Sequence, residues 1–111
     1  MKDDELYLIH IEECISRIQS YTTGGEEAFT ADTRTQDAVL RNLQTLCEST
    51  QRLSDVLKHK YPSVDWPGIA GFRNVLVHDY LGVNLKRVWE IVVNDLPKLK
   101  DGVRRMRAGF V

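Results

Sequence analysis

The chain has 111 residues and a mass of 12.8 kDa, enough for one hydrophobic core and too little for two, so a single domain over residues 1–111 is expected. Apolar residues make up 42% and charged residues 28%, which excludes intrinsic disorder. The formal net charge of -1 excludes a general nucleic-acid coat protein, whose affinity comes from neutralising phosphates.

From Asp4 to Ser20, the residues Leu8, Ile11, Cys14 or Ile15, Ile18 and Tyr21 recur at three- and four-residue steps, the period of an amphipathic helix. Thr22-Thr23-Gly24-Gly25 ends it, and a short loop is expected to follow. Asp32 or Thr33 can cap a second helix, in which Val39, Leu43, Leu46, Thr50, Leu53 and Leu57 form a heptad-like seam some 25 residues long. Part of that seam is expected to be buried against a second copy of the chain in a two-fold dimer.

Tyr61-Pro62-Ser63 breaks the pattern. Asp65 or Ser63 can cap a third helix running to about His78, with Pro67 in its first turn, where the missing N–H costs nothing. Asn84 caps a fourth helix carrying Leu85, Val88, Trp89 and Val92. Pro97 then kinks that helix or starts a fifth through Leu99, Val103 and Met106. No segment alternates with period two for the length of a strand. The expected fold is all-α, an antiparallel bundle of four main helices plus a C-terminal helical extension.

No run approaches the roughly 18 apolar residues of a membrane span, and the start, Met1-Lys2-Asp3-Asp4-Glu5, is too acidic for a secretory signal. A cytoplasmic protein with no membrane partner is expected. Cys14 and Cys47 lie inside apolar-periodic segments without zinc-ligand spacing and read as buried free thiols, and no metal site or cofactor is expected. Trp66 and Trp89 fall on apolar stripes and read as core; His10 and His59 read as solvated. Residues 1–30 are rich in Asp and Glu, whereas Lys98, Lys100, Arg104, Arg105 and Arg107 make the far end basic. Arg104, Arg105 and Arg107 can guide an anionic strand, or form a solvated run at a frayed terminus.

One stretch concentrates chemistry. Gly71-Phe72-Arg73-Asn74-Val75-Leu76-Val77-His78-Asp79-Tyr80 places Arg, Asn, His and Tyr within two or three helical turns. Asn74 and His78 are four apart and share a face; Ile69, Phe72 and Leu76 take the core side. A histidine, with an ordinary pKa of about 6.5, moves protons at neutral pH, and a guanidinium can hold phosphate oxygens as charge builds in a transition state. In RNA the nucleophile can be the substrate's own 2'-hydroxyl, so protein must supply a proton acceptor, a charge clamp and placement. Arg73 and His78 point about 140 degrees apart on an ideal helix. One copy therefore makes a poor site, and two copies across a two-fold axis would bring two His and two Arg into one cleft.

The Arg-to-His spacing alone arises by chance in about a quarter of chains of this composition, and adding the Tyr two residues on cuts that to about one in a hundred. These residues, with Gly82-Val83, Val88-Trp89-Glu90 and Leu96-Pro97, resemble the signature region of the HepT-like proteins, a branch of the HEPN superfamily. The Thr35-Gln36-Asp37-Ala38-Val39 entry to the second helix extends the likeness over nearly the whole chain. Cys47-Glu48-Ser49 departs from it where relatives tend to carry Gly-Glu-Ala.

The resemblance implies a HEPN-like fold and a metal-independent endoribonuclease toxin, active as a homodimer on an RNA substrate. Arg73 and His78 would be the catalytic pair, with Asn74 as polar neighbour. It also implies a nucleotidyltransferase antitoxin of the MNT type that transfers AMP to Tyr80, placing negative charge beside the catalytic His. The alternative is a non-catalytic helical companion subunit of such a nucleotidyltransferase.

Overall fold

In the computed structural model, residues 2–79 and 82–110 are described. Helix α1 spans Lys2–Tyr21 and buries Leu8, Ile11, Cys14, Ile15 and Ile18, whereas Tyr21, expected on the same stripe, ends the helix and is 41% exposed. Asp3, Asp4 and Glu5 occupy its first turn, where negative charge complements the helix dipole. Gly25 adopts a φ of 89°, which glycine takes without a Cβ penalty. The expected loop is instead a seven-residue helix, α2, Gly25–Ala31. Its anchor is Phe29, buried and packed against Trp89 with ring centroids 5.6 Å apart. The Gln36 amide donates back to the carbonyls of Phe29 and Thr30.

Helix α3 runs from Thr33 to Gln51. Asp32 caps it, accepting from the Thr35 hydroxyl and the Arg34 N–H, and these bonds, the Thr35 one foremost, hold its carboxyl below the usual range. The 25-residue seam is not one helix. Arg52–Ser54 turn the chain, and α4 occupies Asp55–Lys60. In a continuous helix the Ser54 N–H would bond the Thr50 carbonyl; here it donates to Asp4 Oδ1 at 2.8 Å, and Leu53 N–H takes the Thr50 oxygen. The seam is also filled within one chain: Val39, Leu43, Leu46, Thr50, Leu53 and Leu57 are all buried, largely because α1 lies along α3. It therefore gives no support to a dimer.

Helix α5 spans Trp66–His78, capped by Asp65, whose carboxylate accepts from Gly68 N–H. The Trp66 indole donates to the carbonyls of Lys58 and Tyr61. Asn84 caps α6, Leu85–Glu90, accepting from Lys86 and Arg87. Pro97 lies in the first turn of the last helix, so of its two expected roles it takes the start of a further helix. A π-helical turn, Ile91–Asp95, leads directly into α7, Leu96–Ala108. Leu96 N–H reaches five residues back to the Ile91 carbonyl, and Pro97 has no N–H, so the wider turn absorbs the missing donor.

The architecture is all-α, as expected, with α2 and α4 as short additions; among the described residues there is no strand and no helix long and apolar enough to cross a membrane. One buried cluster runs from Leu8 to Met106. Helix α3 is central: α1 packs on one side, α5 on another, and α7 closes against α1. Trp66 and Trp89 pack against this core, and Cys14 and Cys47 are buried free thiols.

Candidate active site

Helix α5 carries the candidate residues because its apolar positions pin it against α3. Leu76 is fully buried, and Ile69 and Phe72 pack against the core. Arg73 follows Phe72 on the flank of that buried stripe and is half-buried. Its Nε is enclosed and has no hydrogen-bond partner among the described residues, a costly state for a charged donor.

The Arg73 charge lies close enough to Cys47 of α3 to act on its thiol. Burial pushes the Cys47 thiol up to about 12, with the nearby Glu48 adding to the rise and the Arg73 charge opposing it. This neighbour was not legible in the sequence, which showed only a buried thiol on another helix.

Asn74 and His78 lie on the opposite, solvent-facing side of α5, both exposed, with Gly71 one turn back on open space. Val75 and Val77, 45% and 41% exposed, flank them. The helix ends there: Asp79 N–H bonds the Val75 carbonyl. Within one chain Asn74 and His78 share an exposed face of α5, and the half-buried Arg73 lies about 100 and 140 degrees away from them around the helix. Tyr80 lies outside the described residues.

The basic end is no frayed tail. Val103 and Met106 are fully buried in α7, and Arg107 Nη1 lies 2.8 Å from Glu12 Oε2. Arg105 pairs with Asp101 at 3.8 Å. Arg104 shares a surface recess with Glu5, Glu12 and Arg107. Acidic and basic ends, far apart in the chain, are therefore neighbours on the α1–α7 surface. His10 and His59 are exposed.

The family described as Ribonuclease HepT-like matches residues 11–106. The chain is similar to the "Gamma-glutamylcyclotransferase and putative RNase" of Methanocaldococcus jannaschii, 36% identical over 95% of this chain and 48% of the relative, so it spans about half of that longer protein. It is similar to the "Probable ribonuclease HepT" of Thermococcus cleftensis, 33% identical over 91% of this chain and 93% of the relative. The "mRNA nuclease HepT" of Shewanella oneidensis is 28% identical over 88% of this chain and 91% of its own length. No solved structure matches the chain significantly.

Proposed function

The chain belongs to the HepT-like family of ribonucleases, and on that premise we propose that it is a metal-independent endoribonuclease toxin whose cleft forms between two copies. The observation that carries this reading is Arg73. The guanidinium is half-buried, its Nε is enclosed without an acceptor among the described residues, and its terminal nitrogens are not enclosed in that way. Those terminal nitrogens are the donors left to a scissile phosphate.

The exposed Asn74–His78 stripe provides the rest. His78 takes the proton of the RNA 2'-hydroxyl; that oxygen attacks phosphorus, the bond to the 5'-oxygen breaks, and the partner copy's equivalent histidine returns a proton to the leaving oxygen. The products are a 2',3'-cyclic phosphate and a 5'-hydroxyl. Arg73 stabilises the charge that builds on the phosphoryl oxygens, and Asn74 orients the imidazole. Arg104, Arg105 and Arg107 guide the strand toward the cleft.

In this reading the exposed Val75 and Val77 beside the stripe lie at the meeting of the two copies. The partner that silences the toxin is an MNT-type nucleotidyltransferase, and Tyr80 is the AMP acceptor. The deciding experiment is digestion of RNA by protein purified and assayed in chelator. Cleavage that disappears in His78→Ala, with helical content and native mass unchanged, supports the assignment; a His78→Ala protein that cuts as well as the parent ends it.

A further inference from the structure

Helix α5 rests on α3 but stands off from the last helix, leaving a groove of about 630 Å³ between them. Leu43, Leu46, Ile69, Phe72 and Leu99 make its floor. Its walls present a small number of polar groups. Arg87, Lys98 and Arg105 supply cations at the rim, and Asp65, Asp95 and Asp101 supply carboxylates. Four of these charges are already engaged: Asp65 caps α5, Asp101 pairs with Arg105, and Arg87 pairs with Glu90 at 3.6 Å; among the described residues Lys98 makes no ion pair. Asp95 is exposed and accepts no hydrogen bond among the described residues.

The volume falls within the few hundred to about 1,000 Å³ of pockets that take ring-sized ligands, whereas a docked helix, about 10 Å across, needs a wider trough. An apolar floor with one aromatic side chain, a carboxylate acceptor in Asp95 and the Lys98 ammonium at the rim matches a flat heterocycle that bears an amine and is tethered to a phosphate. Phe72 precedes Arg73 in the chain, and Cys47, which feels the Arg73 charge, also lines the groove. Groove and candidate residues are therefore carried by one helix, α5.

We infer that this groove holds a nucleobase of the RNA strand flanking the cleaved bond, with Asp95 accepting from the exocyclic amine of cytosine, adenine or guanine and rejecting the carbonyl edge of uracil. The inference rests on the ribonuclease reading for its ligand and adds the base preference. It is tested on the whole chain by methyl NMR during titration with cytidine 5'-monophosphate, uridine 5'-monophosphate and ribose 5-phosphate.

Cytidine 5'-monophosphate should move the methyls of Leu43, Leu46 and Leu99, and ribose 5-phosphate should leave them in place. The cytidine nucleotide should bind about fivefold tighter than the uridine one, the worth of one hydrogen bond, and Asp95→Ala should erase that preference. Equal shifts with ribose 5-phosphate, or none with either nucleotide, overturn the inference. So do the same shifts appearing on concentrating the protein alone, which would mark a second copy in the groove. Base-dependent shifts in a protein that does not cleave RNA uphold the groove and remove the nuclease; cleavage with an unresponsive groove does the reverse.

Discussion

The carboxylate of Asp4 accepts both the N–H and the hydroxyl of Ser54, at 2.8 and 2.6 Å, across fifty residues of chain. Ser54 in turn accepts from Leu57 N–H and so starts α4. The pair joins the beginning of α1 to the corner after α3, and Asp4 is only 4% exposed.

Ser54→Ala should destabilise the fold by about 1–2 kcal/mol through the lost cap and the weakened Asp4 contact. Asp4→Ala should cost about 2 kcal/mol, since it strands a partly buried N–H. The double variant should cost less than the sum, because both changes remove one linked set of bonds. Denaturant titrations of the four proteins measure this; strict additivity would show that the two side chains act independently.

Arg73→Leu should raise stability by roughly 1 kcal/mol, because it removes an enclosed donor without a partner and keeps the packing of the stem. The same substitution should lower RNA cleavage by about a hundredfold or more if the guanidinium clamps phosphate. Thermal unfolding and a cleavage assay read the two effects separately. A fall in stability would mean that Arg73 serves the fold.

The Cys47 thiol, held up at about 12 by burial, binds its proton more tightly folded than unfolded, where the ordinary value near 9.0 applies. Its contribution to stability is therefore complete below about pH 9 and is lost as pH rises toward 12. Cys47→Ala should flatten that alkaline loss. Burial pushes the Cys14 thiol up as well, so a thiol reagent at pH 8 should find neither cysteine until denaturant is added. Rapid labelling of one thiol in the native protein would contradict the packing at the α1–α3–α5 contact.

Replacing Arg104, Arg105 and Arg107 together with Ala should weaken RNA binding and flatten its salt dependence. Because Arg107 already holds Glu12, Glu12→Gln should strengthen RNA binding by freeing that guanidinium. An unchanged salt slope in the triple variant returns these residues to a solvated surface role.

Co-expression with a nucleotidyltransferase of the MNT type should add the mass of AMP to the chain, and Tyr80→Phe should remove the acceptor. Intact-mass spectrometry of both proteins decides it; labelling that persists in Tyr80→Phe places the modification elsewhere.

The helices and their caps were legible because they rest on contacts within a few residues. The three- and four-residue spacing of Leu8 through Ile18 set the buried face of α1, and Asp32, Asp65 and Asn84 cap where short-range chemistry puts them. The grouping of Asn74 with His78 followed from helical geometry alone. Other features depend on partners far away in the chain. The break at Ser54 exists because Asp4 takes its N–H, the basic end docks because Glu12 receives Arg107, and α2 forms where Phe29 meets Trp89. Local periodicity specifies which face of a helix is apolar, but only packing selects what that face meets. The nearness of the Arg73 charge to Cys47, and the groove left where α5 stands off from the last helix, belong to the tertiary structure.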